Sequence, residues 1–279
     1  MVQIYRSEQG QAAILNQYAM FLSFWPFPRA QHVVPTRFGD TFVIESGNPN
    51  GQPLVLLHGT ASNSAMWMGD AAVLGQTHRL FAVDIIGEPG NSAQARPQMD
   101  GGNYARWLRE VLDGLNISKA AIAGNSLGGW IVLDFAALAP ERVSALILLA
   151  ASGLYPFRRS FALRMLASHI FSKSSNLSKT VTGGTEMPEA VLEFLDLIRR
   201  EFIPRTLRAP VFGVKHLKRL VMPVLYIGGA DDTLLNTQRS AARLKRFAPH
   251  AHTRILPGVG HTVINQAEEI AAFLSTQEV

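Results

Sequence analysis

Seven short apolar runs recur along this chain, at residues 41–45, 54–57, 80–83, 120–123, 145–149, 224–227 and 253–256. Stretches with helical apolar spacing lie between or beside them, at 104–115, 128–138, 237–247 and 266–274. Most of the runs are apolar at every position rather than at alternate ones, as expected of parallel strands covered on both faces. Strands of that kind alternating with helices predict a doubly wound α/β fold, a mostly parallel central sheet flanked by helices.

The alternation lapses between about Gly153 and Leu220. Residues 161–171 and 188–203 there have helical spacing, with Pro188 suited to a first helical position, and a polar stretch at 172–185 separates them. The simplest organisation is a core of residues 1–153 and 220–279 interrupted by a helical cap or lid at 154–219. The length of 279 residues suits such a domain with an insertion. Residues 1–30 read as an N-terminal extension with an amphipathic helix ending near Trp25. The apolar stretch at 18–27 is short, is broken by Pro26 and followed by Pro28, and has no basic segment before it, so it does not read as an export signal. No run approaches the ~20 apolar residues of a membrane span. No stable membrane insertion is expected, and the cytoplasm is the expected location.

Composition narrows the chemistry. The chain has no cysteine, which excludes disulfides, a thiol nucleophile and thiolate metal sites. Its 26 Lys and Arg against 21 Asp and Glu give a net charge of +5. Residues 154–219 hold 12 basic and 5 acidic residues, a net of +7, so the remainder is at −2. This reads as a solvated helical surface, with attraction of an anionic substrate, carrier protein or membrane surface as the sharper alternative. Nothing resembles a nucleic-acid-binding motif.

Gly124-Asn125-Ser126-Leu127-Gly128-Gly129 follows one predicted strand and opens a predicted helix. This is a G-x-S-x-G nucleophile elbow in its required strand–turn–helix setting. Gly124 and Gly128 leave room for backbone approach in a tight turn, and the serine hydroxyl projects at the helix N-terminus. A serine needs a base. Of eight histidines, His261 lies in Pro257-Gly258-Val259-Gly260-His261, after the last predicted strand and at the same sheet edge. His58, in Leu57-His58-Gly59-Thr60, is the rival. The base needs an acid to fix its tautomer. Asp232 follows the strand at 224–227, and its G-x-x-D spacing with Gly229 favours it over Asp231. The turn after 145–149, Ala150-Ala151-Ser152-Gly153, offers no carboxylate. The oxyanion of a tetrahedral intermediate needs preorganised donors. The N–H of Leu127 is one. The other is expected from Thr60, with Ala61 as the alternative. Gly59 permits the turn, and His58 then orients this loop rather than acting as base.

These residues resemble the α/β-hydrolase superfamily, in the branch of small carboxylesterases and pimeloyl-carrier methyl esterases. The likeness rests on His58-Gly59, the elbow, Gly229-Ala230-Asp231-Asp232 and Gly260-His261, and spans roughly residues 36–274. Asp84-Ile85-Ile86-Gly87-Glu88-Pro89-Gly90-Asn91-Ser92 is similar to the family's D-x-x-G-x-G-x-S loop, stretched by one residue around Glu88-Pro89. Asn236 departs from the family pattern, which often has proline after the acid. The resemblance implies a helical cap at 154–219 and a triad in the chain order Ser126, Asp232, His261, flanked by His58, Gly59, Asn125 and Gly128.

The reaction implied is hydrolysis of a carboxylic ester through an acyl-enzyme. The alternative is C–C bond hydrolysis of a diketo acid, which uses the same residues. A non-enzymatic ligand-binding protein on this fold is a third reading. No cofactor and no metal are implied. The substrate would be a small-molecule ester, with an anionic or carrier-protein-linked one as the sharper form. Arg158, Arg159, Arg199, Arg200, Arg205 and Arg208 are candidates to dock an acidic carrier. Phe157, Phe161, Met165, Phe171, Phe194 and Phe202 are candidates to line an acyl pocket, although a helix stripe more often packs against the sheet.

Overall fold

The computed structural model describes residues 2–99, 102–158, 187–205 and 209–277. They form one eight-stranded sheet: β1 (Arg29–Val34), β2 (Thr41–Gly47), β3 (Pro53–Leu57), β4 (Arg79–Val83), β5 (Ala120–Asn125), β6 (Val143–Leu149), β7 (Val224–Gly229) and β8 (His252–Leu256). The spatial order is β1-β2-β4-β3-β5-β6-β7-β8. β1 and β2 are antiparallel to their neighbours, and every pairing from β4 through β8 is parallel. The helices are α1 (Glu8–Ser23), α2 (Met68–Leu74), α3 (Asn103–Gly114), α4 (Leu127–Leu138), α5 (Glu189–Glu201), α6 (Val214–Leu217), α7 (Thr237–Phe247) and α8 (Ala267–Ser275).

Side chains alternate along a strand, so an all-apolar strand feeds two cores. On one face Val55, Leu57, Ile122, Leu146 and Leu148 meet Trp107 and Leu108 of α3, Ile131 and Phe135 of α4 and Leu244 of α7. On the other, Leu54, Leu56, Ala123, Ile147 and Leu149 meet Ile14 and Tyr18 of α1, Leu74 of α2, Ile198 of α5 and Ile270 of α8. Burying each such aliphatic side chain is worth ~1.5–3 kcal/mol. That explains the fully apolar runs: a polar residue on either face of a central strand would enter a core.

All seven expected strands and the four expected core helices are present within a residue or two. The structure adds β1, α2 and the four-residue α6. β1 is an edge strand whose side chains are mostly exposed, so its sequence Arg-Ala-Gln-His-Val-Val lacks an apolar run. Pairing with β2 alone makes it a strand. Residues 29–30 of the expected helical extension therefore belong to the sheet. α1 ends at Ser23, short of Trp25, whose indole N–H instead donates to Ser46 Oγ at 2.9 Å.

In the insertion, the expected helix at 161–171 and the polar stretch at 172–185 lie outside the described residues. The helix expected at 188–203 is α5. Pro188 is its N-cap rather than its first helical residue. Phe202 and Ile203 leave the helix because the N-terminal segment pairs with them: Phe202 bridges Tyr5, and Ile203 N–H donates to Ile4 O at 2.8 Å.

Asp70 in α2 packs against the start of α8, facing the N–H groups of Gln266 and Ala267, and burial pushes its carboxyl up to about 6. Its Oδ1 has no partner among the described residues. The folded state thus favours the protonated acid. Its contribution to stability is therefore present below about pH 4 and is lost as pH rises through about 6. Thermal melts between pH 4 and 8 check this. The wild-type melting temperature minus that of Asp70→Asn is expected to fall across that window. A pH-independent difference would show that Asp70 ionises without hindrance.

Candidate active site

β5 lies centrally in the sheet, between β3 and β6, and the loops leaving the C-terminal ends of β3, β4, β5, β7 and β8 converge there. Ser126 follows β5 directly. Its backbone is in a region that L-residues seldom adopt, with φ 48° and ψ −102°. Such a conformation costs on the order of 1–3 kcal/mol and persists only where the surroundings hold it. Ser126 N–H donates to Leu149 O at 2.9 Å, and Ser126 O accepts from Trp130 and Ser152, each at 3.1 Å. Gly128 N–H donates to His58 O at 3.1 Å, drawing the helix start against the end of β3. A Cβ on Gly128 would stand 2.4 Å from Leu57 O, so this approach requires glycine.

The candidate base and acid, His261 and Asp232, arrive from two further loops that interlock. Asp231 N–H donates to Val259 O at 3.0 Å and Ala230 N–H to Leu256 O at 2.9 Å, fastening the β7 loop to the β8 loop. A Cβ at Gly229 would lie 2.1 Å from Gly260 O, so glycine is required here too. In consequence His261 Nδ1 lies 2.8 Å from Asp232 Oδ2, and Nε2 lies 3.0 Å from Ser126 Oγ. Asp232 is buried, and its Oδ1 accepts the N–H groups of Leu234 and Leu235, each at 2.8 Å. Asp231 is exposed, so of the two aspartates it is Asp232 that reaches the histidine. Ser126 itself stays partly open to solvent. The Asn236 side chain accepts Arg239 N–H at 3.1 Å and caps α7, which accounts for its presence where proline is common.

His58 is fully buried, which pushes its pKa down and keeps the ring neutral. Its Nε2 accepts Ile85 N–H at 2.9 Å and therefore carries no proton. The proton is on Nδ1, which donates to Gly59 O at 2.8 Å. His58 thus ties the loop after β3 to the end of β4, far from any role as a base. Carbonyl and N–H of a trans peptide point in opposite directions. Holding the Gly59 carbonyl therefore also aims the Thr60 N–H. The Ala61 N–H is occupied by Glu88 Oε2 at 2.8 Å, whereas the Thr60 N–H has no partner among the described residues. Of the two donors left open by the sequence, Thr60 is the free one. Leu127 opens α4, so its N–H has no intrahelical acceptor. Asn125 is buried at the end of β5, with Oδ1 against Gly59.

Asp84 and Glu88 anchor these loops from β4. Asp84 Oδ1 accepts from Tyr18 Oη at 2.9 Å and from Ser64 Oγ at 2.7 Å, and Oδ2 accepts Asn91 N–H at 2.8 Å. The D-x-x-G pattern was a signal for Asp84. Glu88 was marked only as part of the one-residue stretch in that loop, and nothing local marked Tyr18. Arg205 is a correction: the sequence reading places it among surface arginines for an acidic partner, but it is buried against Glu88, with Nε 3.2 Å from Oε1. Arg158 N–H and Nε bond to Leu234 O and Leu235 O at 2.9 and 3.0 Å. Arg199 and Arg200 are exposed on α5 beside Asp196. Phe194 and Phe202 are core residues rather than pocket walls, packed on Phe21 and Tyr5 with ring centroids 5.2 and 6.2 Å apart. Arg159, Arg208, Phe161, Met165 and Phe171 lie outside the described residues.

The fold and the serine–aspartate–histidine chain order are those of an α/β hydrolase. The chain belongs to the Alpha/beta hydrolase family, which residues 54–273 match. It is 28% identical to carboxylesterase YbfK of Bacillus subtilis strain 168, over 88% of this chain and 86% of that one. The crystal structure of YbfK superposes with a TM-score of 0.83 at 27% identity, covering 96% of this chain and 99% of that one. The uncharacterized carboxylesterase nap of the same organism is 30% identical over 88% of this chain and 85% of its own length. A pimeloyl-[acyl-carrier protein] methyl ester esterase of Nitrosomonas europaea is 29% identical over 76% of this chain and 89% of its own. Among the described residues, no helix is long and apolar enough to cross a membrane.

Proposed function

We propose that this chain hydrolyses carboxylic esters through an acyl-enzyme on Ser126. The carrying observation is the buried relay in which His261 joins Ser126 Oγ at 3.0 Å to Asp232 at 2.8 Å. Ser126 Oγ attacks the ester carbonyl while His261 Nε2 takes its proton. The negative charge moves to the carbonyl oxygen, which accepts from the N–H groups of Leu127 and Thr60. Each such donor is worth ~3–4 kcal/mol in the transition state. His261 then passes the proton to the leaving alkoxide, freeing the alcohol. Water attacks the acyl-enzyme with His261 again as base, releasing the acid and restoring Ser126. Asp232 holds His261 with its proton on Nδ1 and stabilises the imidazolium.

The substrate class is a small-molecule or carrier-linked ester, and residues 154–219 are read as the cap over this edge of the sheet. The carboxylesterases among the relatives favour ester hydrolysis over C–C cleavage of a diketo acid. A fluorophosphonate probe paired with a p-nitrophenyl ester chain-length series tests the reading. Labelling of Ser126 with turnover peaking at one acyl length is expected. Labelling without ester turnover would move the assignment to C–C cleavage. No labelling would leave a ligand-binding protein.

A further inference from the structure

The two peptide units around Thr60 are held by two different buried side chains. His58 holds the unit before it. The unit after it is held by Glu88, whose Oε2 accepts the Ala61 N–H at 2.8 Å. Ala61 sits at φ 54°, in the left-handed region that alanine rarely occupies unless held there. Glu88 is fully buried, and a buried carboxylate needs a cation or donors around it. Arg205 supplies the cation at 3.2 Å, bonds Ile86 O at 3.3 Å with its second nitrogen, and lies over the Tyr104 ring at 5.3 Å. Arg205 comes from the segment after α5, and that segment is strapped in place. Arg6 N–H donates to Glu201 O and Ile203 N–H to Ile4 O, each at 2.8 Å, and the Arg96 guanidinium bonds Ile203 O.

We propose that Glu88 and Arg205 are positioning residues of the oxyanion loop: Arg205 holds the Glu88 carboxylate, Glu88 fixes the Thr60–Ala61 peptide, and the seating of the segment after α5 thereby keeps Thr60 where the aim that His58 gives its N–H is maintained. The proposal deepens the ester-hydrolase reading and rests on it. Neither residue touches the reacting atoms. Their effect is preorganisation, because an oxyanion donor acts only from the position the developing charge will occupy.

Glu88→Gln, Arg205→Met and the double variant test it. Glutamine keeps the size, but its single oxygen cannot serve both Ala61 N–H and Arg205. Turnover per active site, counted by fluorophosphonate labelling, is expected to fall tenfold to a hundredfold (about 1.4 kcal/mol per tenfold) in each single variant, with KM within about twofold. The double variant is expected to be no slower than Glu88→Gln, because Arg205 acts through Glu88. Amide hydrogen exchange of residues 58–63, read by mass spectrometry without substrate, is expected to accelerate at least about tenfold in both single variants. Unchanged exchange in that loop, losses that multiply in the double variant, or a loss confined to KM would each overturn the proposal. Absence of ester turnover in the wild type would instead overturn the ester reading, and the exchange measurement would still decide the positioning role.

Discussion

Ser126→Ala is expected to lower turnover of the best p-nitrophenyl ester by about 10⁴–10⁶-fold, the range set by losing a nucleophile that works with its base as one unit. KM should change little, because Oγ forms its bond in the transition state and not in the ground-state complex. The fold should be unaffected: the side chain's hydrogen bond is to His261, while the strained backbone is held by Leu149, Trp130 and Ser152. Steady-state kinetics beside a thermal melt separate the two effects. A variant that keeps more than about a tenth of wild-type turnover would show that another group attacks the ester.

The second large effect is expected at Asp232. Its Oδ1 accepts two backbone N–H groups, from Leu234 and Leu235. In Asp232→Asn the side-chain oxygen must take that position, since an NH₂ there would face two donors. The NH₂ is then forced toward His261 Nδ1. The ring can only accept there, so its proton moves to Nε2, the atom that must take the serine proton. Turnover is expected to fall by about 10⁴-fold with geometry intact. Asp231→Asn is the matched control. That side chain is exposed and its backbone N–H carries the loop contact, so turnover within about twofold of wild type is expected. Equal losses in the two variants would overturn the assignment of the acid.

Much of this site was legible as short motifs, for a physical reason. Tight turns at strand ends demand glycine at fixed offsets, and those offsets mark where a functional side chain projects. Gly128 must clear Leu57 O, and Gly229 must clear Gly260 O. The two ambiguities left by the motifs were of another kind. Asp231 and Asp232 have the same chemistry one position apart, and only the interlocked β7 and β8 loops turn one of them inward. Thr60 and Ala61 both offer a backbone N–H, and the choice depends on Glu88, 27 residues away, having already taken one of them.

Two of the elements that were missed share a cause. β1 has the composition of a surface loop and becomes a strand because β2 offers an unpaired edge. α2 is two turns long and contains Gly69, so its helicity depends on packing Ala71 and Leu74 into the core. Arg205 was read with its basic neighbours as a surface arginine for an acidic partner, and nothing within ten residues of it reveals that a buried carboxylate awaits it.

By itself the sequence determined the parallel α/β sheet, because strands covered on both faces must be apolar at every position, and it marked the turns that hold the candidate site, because their glycines are sterically required. The tertiary structure alone decided which of two adjacent aspartates meets His261, which of two adjacent N–H groups stays free, and which arginine is buried. Each of those choices is made by a partner distant in the chain, and such a partner leaves no mark on the local pattern.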